Sequence, residues 1–127
     1  MDQSVSMLAA GGMMRYEVRF RGRVQAITED GAALEGPLDK VVLREHLDRV
    51  MEELLGLRAI DPAVSADLGR RGVEIEVVVD ALDGVDAVAI GNGLIRTAVH
   101  AAGGFTKGWS SDWLEITGVS TDELVDA

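Results

Sequence analysis

The sequence predicts a single α+β domain, a four-stranded antiparallel sheet with two helices on one face. Three features predict it: apolar residues alternate with polar ones in several short stretches, two other stretches repeat at helical spacing, and the two kinds occur in the order strand, helix, strand, strand, helix, strand. At 127 residues the chain matches the usual size of one domain. With 47% hydrophobic and 27% charged residues it has enough apolar side chains for one core. The domain is expected over residues 15–119, with a flexible extension at 1–14 and an acidic tail at 120–127.

The first element is a strand. Tyr16, Val18, Phe20, Val24 and Ala26 fall on one side, while Arg15, Glu17, Arg19, Arg21, Arg23 and Gln25 fall on the other, which gives one dry face and one wet one. Gly22 interrupts the alternation and marks a bulge. Glu29-Asp30-Gly31 reads as a turn within Ile27 to Pro37, a segment whose structure the pattern leaves open. A helix follows, because Leu43, Leu47, Val50, Met51, Leu54 and Leu57 recur at steps that make one apolar stripe. Gly36-Pro37 suits its start and Gly56 its exit, with Val41 and Val42 off the stripe.

After Ile60-Asp61-Pro62, the alternations Val64, Ala66, Leu68 and Val73, Ile75, Val77, Val79 flank Gly69-Arg70-Arg71-Gly72 and predict an antiparallel hairpin. Asp83 and Asp86 have the spacing of an N-cap and its third helical position, opening a second helix that closes at Gly103-Gly104. Its expected core stripe is Val88, Ile95, Val99 and Ala102. Asp83-Gly84 and Asn92-Gly93 are also hairpin dipeptides, so a strand over Val85 to Ile90 is the competing reading. Trp113, Leu114, Ile116 and Val119 supply the fourth strand.

This order is a split βαβ arrangement, whose right-handed crossovers place the first and third strands at the centre of the sheet. In that order of elements the chain resembles the ferredoxin-like plait, as in small regulatory ACT-type domains and dimeric α+β barrel proteins. The stretch Ile95-Arg96-Thr97-Ala98-Val99-His100-Ala101-Ala102-Gly103-Gly104 resembles small bacterial proteins of this plait that lack an assigned role. The resemblance implies a fold; it brings no active-site residue with it.

Composition excludes several functions. Without cysteine there are no disulfides and no thiolate-held zinc or iron–sulfur site. No metal or cofactor is expected. The start of the chain lacks the charge and apolar length of a signal peptide, and no stretch approaches the ~18 apolar residues of a membrane span, so a cytoplasmic protein is expected. Twelve basic against 22 acidic residues give a net charge of −10, which repels phosphate backbones and anionic bilayers.

The candidate sites are few. Arg15, Arg19, Arg21 and Arg23 share the wet face of the first strand, but nucleic-acid platforms of this plait need outward aromatics, and Tyr16 and Phe20 have the opposite parity. Glu74, Glu76 and Asp80 on the third strand instead predict a ladder of opposite charges. Of the two histidines, His46 flanks the stripe of the first helix and His100 projects well off that of the second, where a solvated side chain is the expected state. Neither has the i+3 or i+4 partner of a helical metal motif. Gly91-Asn92-Gly93 is unusual inside a helix, where glycine costs ~1 kcal/mol relative to alanine. A helix that starts later, a close neighbour, or space for a ligand bound by Asn92 each accounts for it. Ile90, Leu94, Thr97 and Ala101 form a second semi-apolar stripe.

Two functions follow as expectations. One is a non-catalytic association or regulatory module, a homo-oligomer and most simply a homodimer, meeting its partner through the open sheet face or through Ile90, Leu94, Ala101 and Trp113. The other is a small-molecule-binding protein or enzyme with a pocket near Asn92, His100 and Trp109. No convergent set of reactive groups points to catalysis.

Overall fold

The computed structural model describes residues 13–25, 40–57, 59–67, 69–105 and 113–124. Its elements are β1 (Met14–Val24), α1 (Lys40–Gly56), β2 (Ile60–Asp67), β3 (Gly72–Ala81), α2 (Gly84–Phe105) and β4 (Leu114–Leu124). The strands form one antiparallel sheet in the order β2-β3-β1-β4, an α+β arrangement that fits a ferredoxin-like fold. Expectations for Ile27 to Pro37, the Gly36-Pro37 helix start, Leu68 and Trp109 lie outside the described residues.

The alternation read in β1 and β3 is what builds the core. Tyr16, Val18, Phe20 and Val24 pack with Val73, Ile75, Val77 and Val79, and both helices close over that one face with Leu43, Val50, Leu54, Ile95, Ala98, Val99 and Ala102. Each Val, Leu, Ile or Phe among them contributes on the order of 1.5–3 kcal/mol by leaving water. Gly22 is buried at the register shift between β1 and β4, where an added Cβ would stand 2.8 Å from the Glu115 carbonyl oxygen, so only glycine fits the bulge.

The helix reading of Val85 to Ile90 prevails over the hairpin reading because Asp83 caps the helix. The Asp86 N–H donates to Asp83 Oδ1 at 2.8 Å, and Asp86 Oδ2 accepts from the Leu82 N–H at 3.0 Å. The phase of α2 differs from the expected stripe: Ala87 and Gly91 face the core, and Val88 is only half-buried. Small residues let the helix approach β1, and a Cβ on Gly91 would lie 3.0–3.3 Å from the Val18 side chain.

Other boundaries shift for physical reasons. β2 starts at Ile60, ahead of Asp61-Pro62, because the register breaks between Ile60 and Ala63 and leaves room for a proline that cannot donate and an aspartate at φ 42°. β4 extends through Leu124, which pairs with Arg15, so residues 120–124 belong to the sheet and not to an acidic tail.

Candidate functional site

The open face of the sheet carries the ladder that the charge pattern predicts. Register sets Arg15 opposite Asp80, Arg19 opposite Glu76 and Arg21 opposite Glu74. Arg15 meets Asp80 at 3.1 Å, while Arg19 reaches Glu17 at 2.9 Å and Glu74 and Glu76 at 3.4 Å each. Arg21 lies 3.9 Å from Glu74. The hydrogen bond and charge of Glu76, helped by Glu74 and Glu17, raise the Arg19 pKa further above its ordinary value. Tyr16 and Phe20 are buried on the opposite face, so among the described residues this surface offers no aromatic for stacking.

His46 corrects its sequence reading. It does not flank the core but lies in it, fully buried on the line Leu43, His46, Val50, Leu54. Its ring and that of Trp113 meet in a T-shaped arrangement at a centroid distance of 4.2 Å. Burial, with Arg49 adding its positive charge, lowers its pKa to about 4, so the imidazole is neutral near pH 7. The Trp113 indole N–H donates to the Val99 carbonyl at 3.1 Å, and the Trp113 carbonyl accepts from the Gln25 N–H. Trp113 is therefore a core closure that ties α1, α2 and the end of β1 together.

Concave surface lies along the seam between α2 and β4. The helix runs antiparallel to the strand, from Gly84, whose added Cβ would be 3.7 Å from Thr121 Cγ2, to Val99 beside Trp113. Two open hollows flank the seam. One, of about 570 Å³, is lined by Asp83, Gly84, Val85, Val88 and Thr121 at the head of the helix. The other, of about 680 Å³, has among its described walls His100, Arg96, Val99, Leu114 and Ile116.

The candidate residues separate. His100 is exposed and lines the larger hollow. Asn92, half-buried, is not among the described residues of either hollow's wall, although helical spacing from Val88 and Val99 turns it toward the seam. Of the second stripe, Leu94 packs partly against the core, Ala101 is half-buried, and Ile90 and Thr97 are exposed. The Thr97 hydroxyl donates to the Gly93 carbonyl at 2.7 Å.

The apolar surface that sequence reasoning missed is at the head of α2 and on the helix-facing side of β4. Leu82 is 62% exposed, Val85 82%, Val119 45% and Ile116 37%. Val119 and Ile116 have register partners Phe20 and Gly22, which places them on the side of the sheet that carries the helices, beyond the part that the helices cover. Val85 lies off the expected core stripe of the second helix, and its spacing gives no sign that nothing among the described residues packs over it.

No helix among the described residues is long and apolar enough to cross a membrane. Among them no three His, Asp or Glu side chains gather as a metal site. Comparison with protein-family models, with curated proteins and with solved structures finds no match to the chain.

Proposed function

We propose that this chain is a ferredoxin-like, non-catalytic association module that acts as a homodimer through the head of α2. The observation that carries the reading is the apolar surface at the start of α2, where Leu82 and Val85 are exposed and Val85 lines the smaller hollow together with half-buried Val88. Large apolar side chains grouped in this way mark contact surfaces, whereas single ones need no explanation. Asp83 and Asp86, the carboxylates within the patch, are turned onto N–H groups of the helix start, so they present less charge to a partner. The sheet's open face, the other expected contact, is occupied by ion pairs within the chain. Light scattering across a dilution series tests the reading: a dimer mass that falls on dilution and is lost in Val85→Asp supports it, and a monomer at every concentration overturns it.

A second reading, binding of a small molecule, is favoured by one observation, the position of His100 on the wall of the larger hollow. A thermal-shift screen of small acids and aromatic compounds checks it. Stabilisation that disappears in His100→Ala supports this reading, and an unresponsive melting temperature removes it.

A further inference from the structure

The sheet ends at β4, and among the described residues nothing pairs with the outer side of that strand. An open edge of eleven residues presents a row of backbone donors and acceptors ready for another strand. The charges beside it are unbalanced in a definite direction. The arginines of β1 lean toward β3, where Arg15, Arg19 and Arg21 meet Asp80, Glu74 and Glu76. Glu115, Asp122 and Glu123 of β4 are exposed and form no ion pair among the described residues, even though Glu115 stands opposite Arg23 in register. The same strand turns Ile116 and Val119 toward the helix side and Asp122 toward the other, as their partners Gly22, Phe20 and Glu17 show.

We propose that the free edge of β4 receives an extended basic segment of a partner protein, which continues the sheet as a fifth strand. Main-chain hydrogen bonds supply its affinity, and the parity of its side chains supplies its specificity. Apolar residues of one parity pack beside Val119 and Ile116, and lysines or arginines of the other parity meet Asp122 and Glu115. A second copy of the chain is the wrong occupant for this edge. It carries a net charge of −10 and would set the acidic residues of one β4 against those of another. The proposal goes beyond the homodimer reading and uses a different surface, the strand edge rather than the head of α2.

The test is a titration of the full ¹⁵N-labelled chain with a synthetic peptide alternating lysine and valine, followed by amide shifts and hydrogen exchange. Shift changes concentrated in residues 114–124, slower exchange of amides there, and binding weakened about tenfold or more in Glu115→Lys/Asp122→Lys are the expected results. A version of the peptide with proline at alternate positions, which keeps the charge but cannot pair, is expected to bind far more weakly. Equal binding by the proline peptide, or shifts that map elsewhere, overturns the proposal, as does no binding at low salt. Edge amides already slow to exchange in the free protein also overturn it: protection at every concentration means that the chain covers its own edge, and protection that grows with concentration means a second copy does. Light scattering on the same samples keeps the two readings apart, because a monomer that binds the peptide sinks only the homodimer, and a dimer that ignores it sinks only the fifth strand.

Discussion

His46 folds as a neutral side chain, and that fixes how the protein responds to acid. Its pKa of about 4 in the folded chain lies below the ~6.5 of an unfolded histidine, so between these values the unfolded state binds the proton first. The contribution is fully present above pH ~6.5 and is lost as pH falls toward 4, at up to about 1.4 kcal/mol per pH unit. Urea unfolding across this range is expected to show a shallower loss of stability for His46→Leu than for the native chain; parallel curves would disprove it. The two glycines around Asn92 behave oppositely. Gly93→Ala has open space and should stabilise by about 0.5–1 kcal/mol, whereas Gly91→Ala drives a methyl to 3.0 Å from Val18 on a central strand and should destabilise by about 1 kcal/mol or more. Thermal melts of the two variants, shifted in opposite directions, check this. Sequence periodicity could flag the triplet as costly but could not say which glycine faces a neighbour, since that depends on the rotation of α2 over the sheet.

Individual elements are held at their ends as much as along their faces. The Asp83 cap decided between two readings of Val85 to Ile90, and Asp83→Ala is expected to cost about 1 kcal/mol, read as a lower melting temperature, with the helix retained by circular dichroism. The β1–β3 ladder was legible because opposite charges on two alternating segments can face each other only when those strands are neighbours. Its pairs are partly exposed, with Arg15 and Asp80 side chains at 59% and 46%, so Arg15→Gln should change stability by less than about 1 kcal/mol. Arg19 differs because three carboxylates surround it. Arg19→Gln leaves Glu17, Glu74 and Glu76 facing one another and should lower stability by about 1 kcal/mol or more, with part of the loss recovered in high salt. Denaturant midpoints at low and high salt measure that recovery. The extension of β4 through Asp122 and Glu123 was not legible, because acidic residues after a short apolar run read as a tail until pairing with Arg15 to Val18 is seen.

At the scale of the whole molecule, the proposed homodimer of a chain of net charge −10 has to overcome repulsion between copies. Self-association is therefore expected to tighten as salt is added, moving the dilution midpoint to lower protein concentration; a midpoint that rises with salt would mean that ion pairs hold the dimer instead. Binding of a basic segment at β4 has the opposite sign and weakens with salt. The sequence by itself determined the order of the elements apart from the start of α2, the two faces of β1 and β3, the absence of thiolate ligands and the charge ladder, since each follows from local periodicity or from composition. Only the tertiary structure decided that His46 is core, that Trp113 closes it, that Ala87 and Gly91 face β1, and that no described residue covers the head of α2 or the edge of β4. These properties depend on how far one layer extends over another, and the spacing of residues along a chain carries no record of where a neighbouring layer ends.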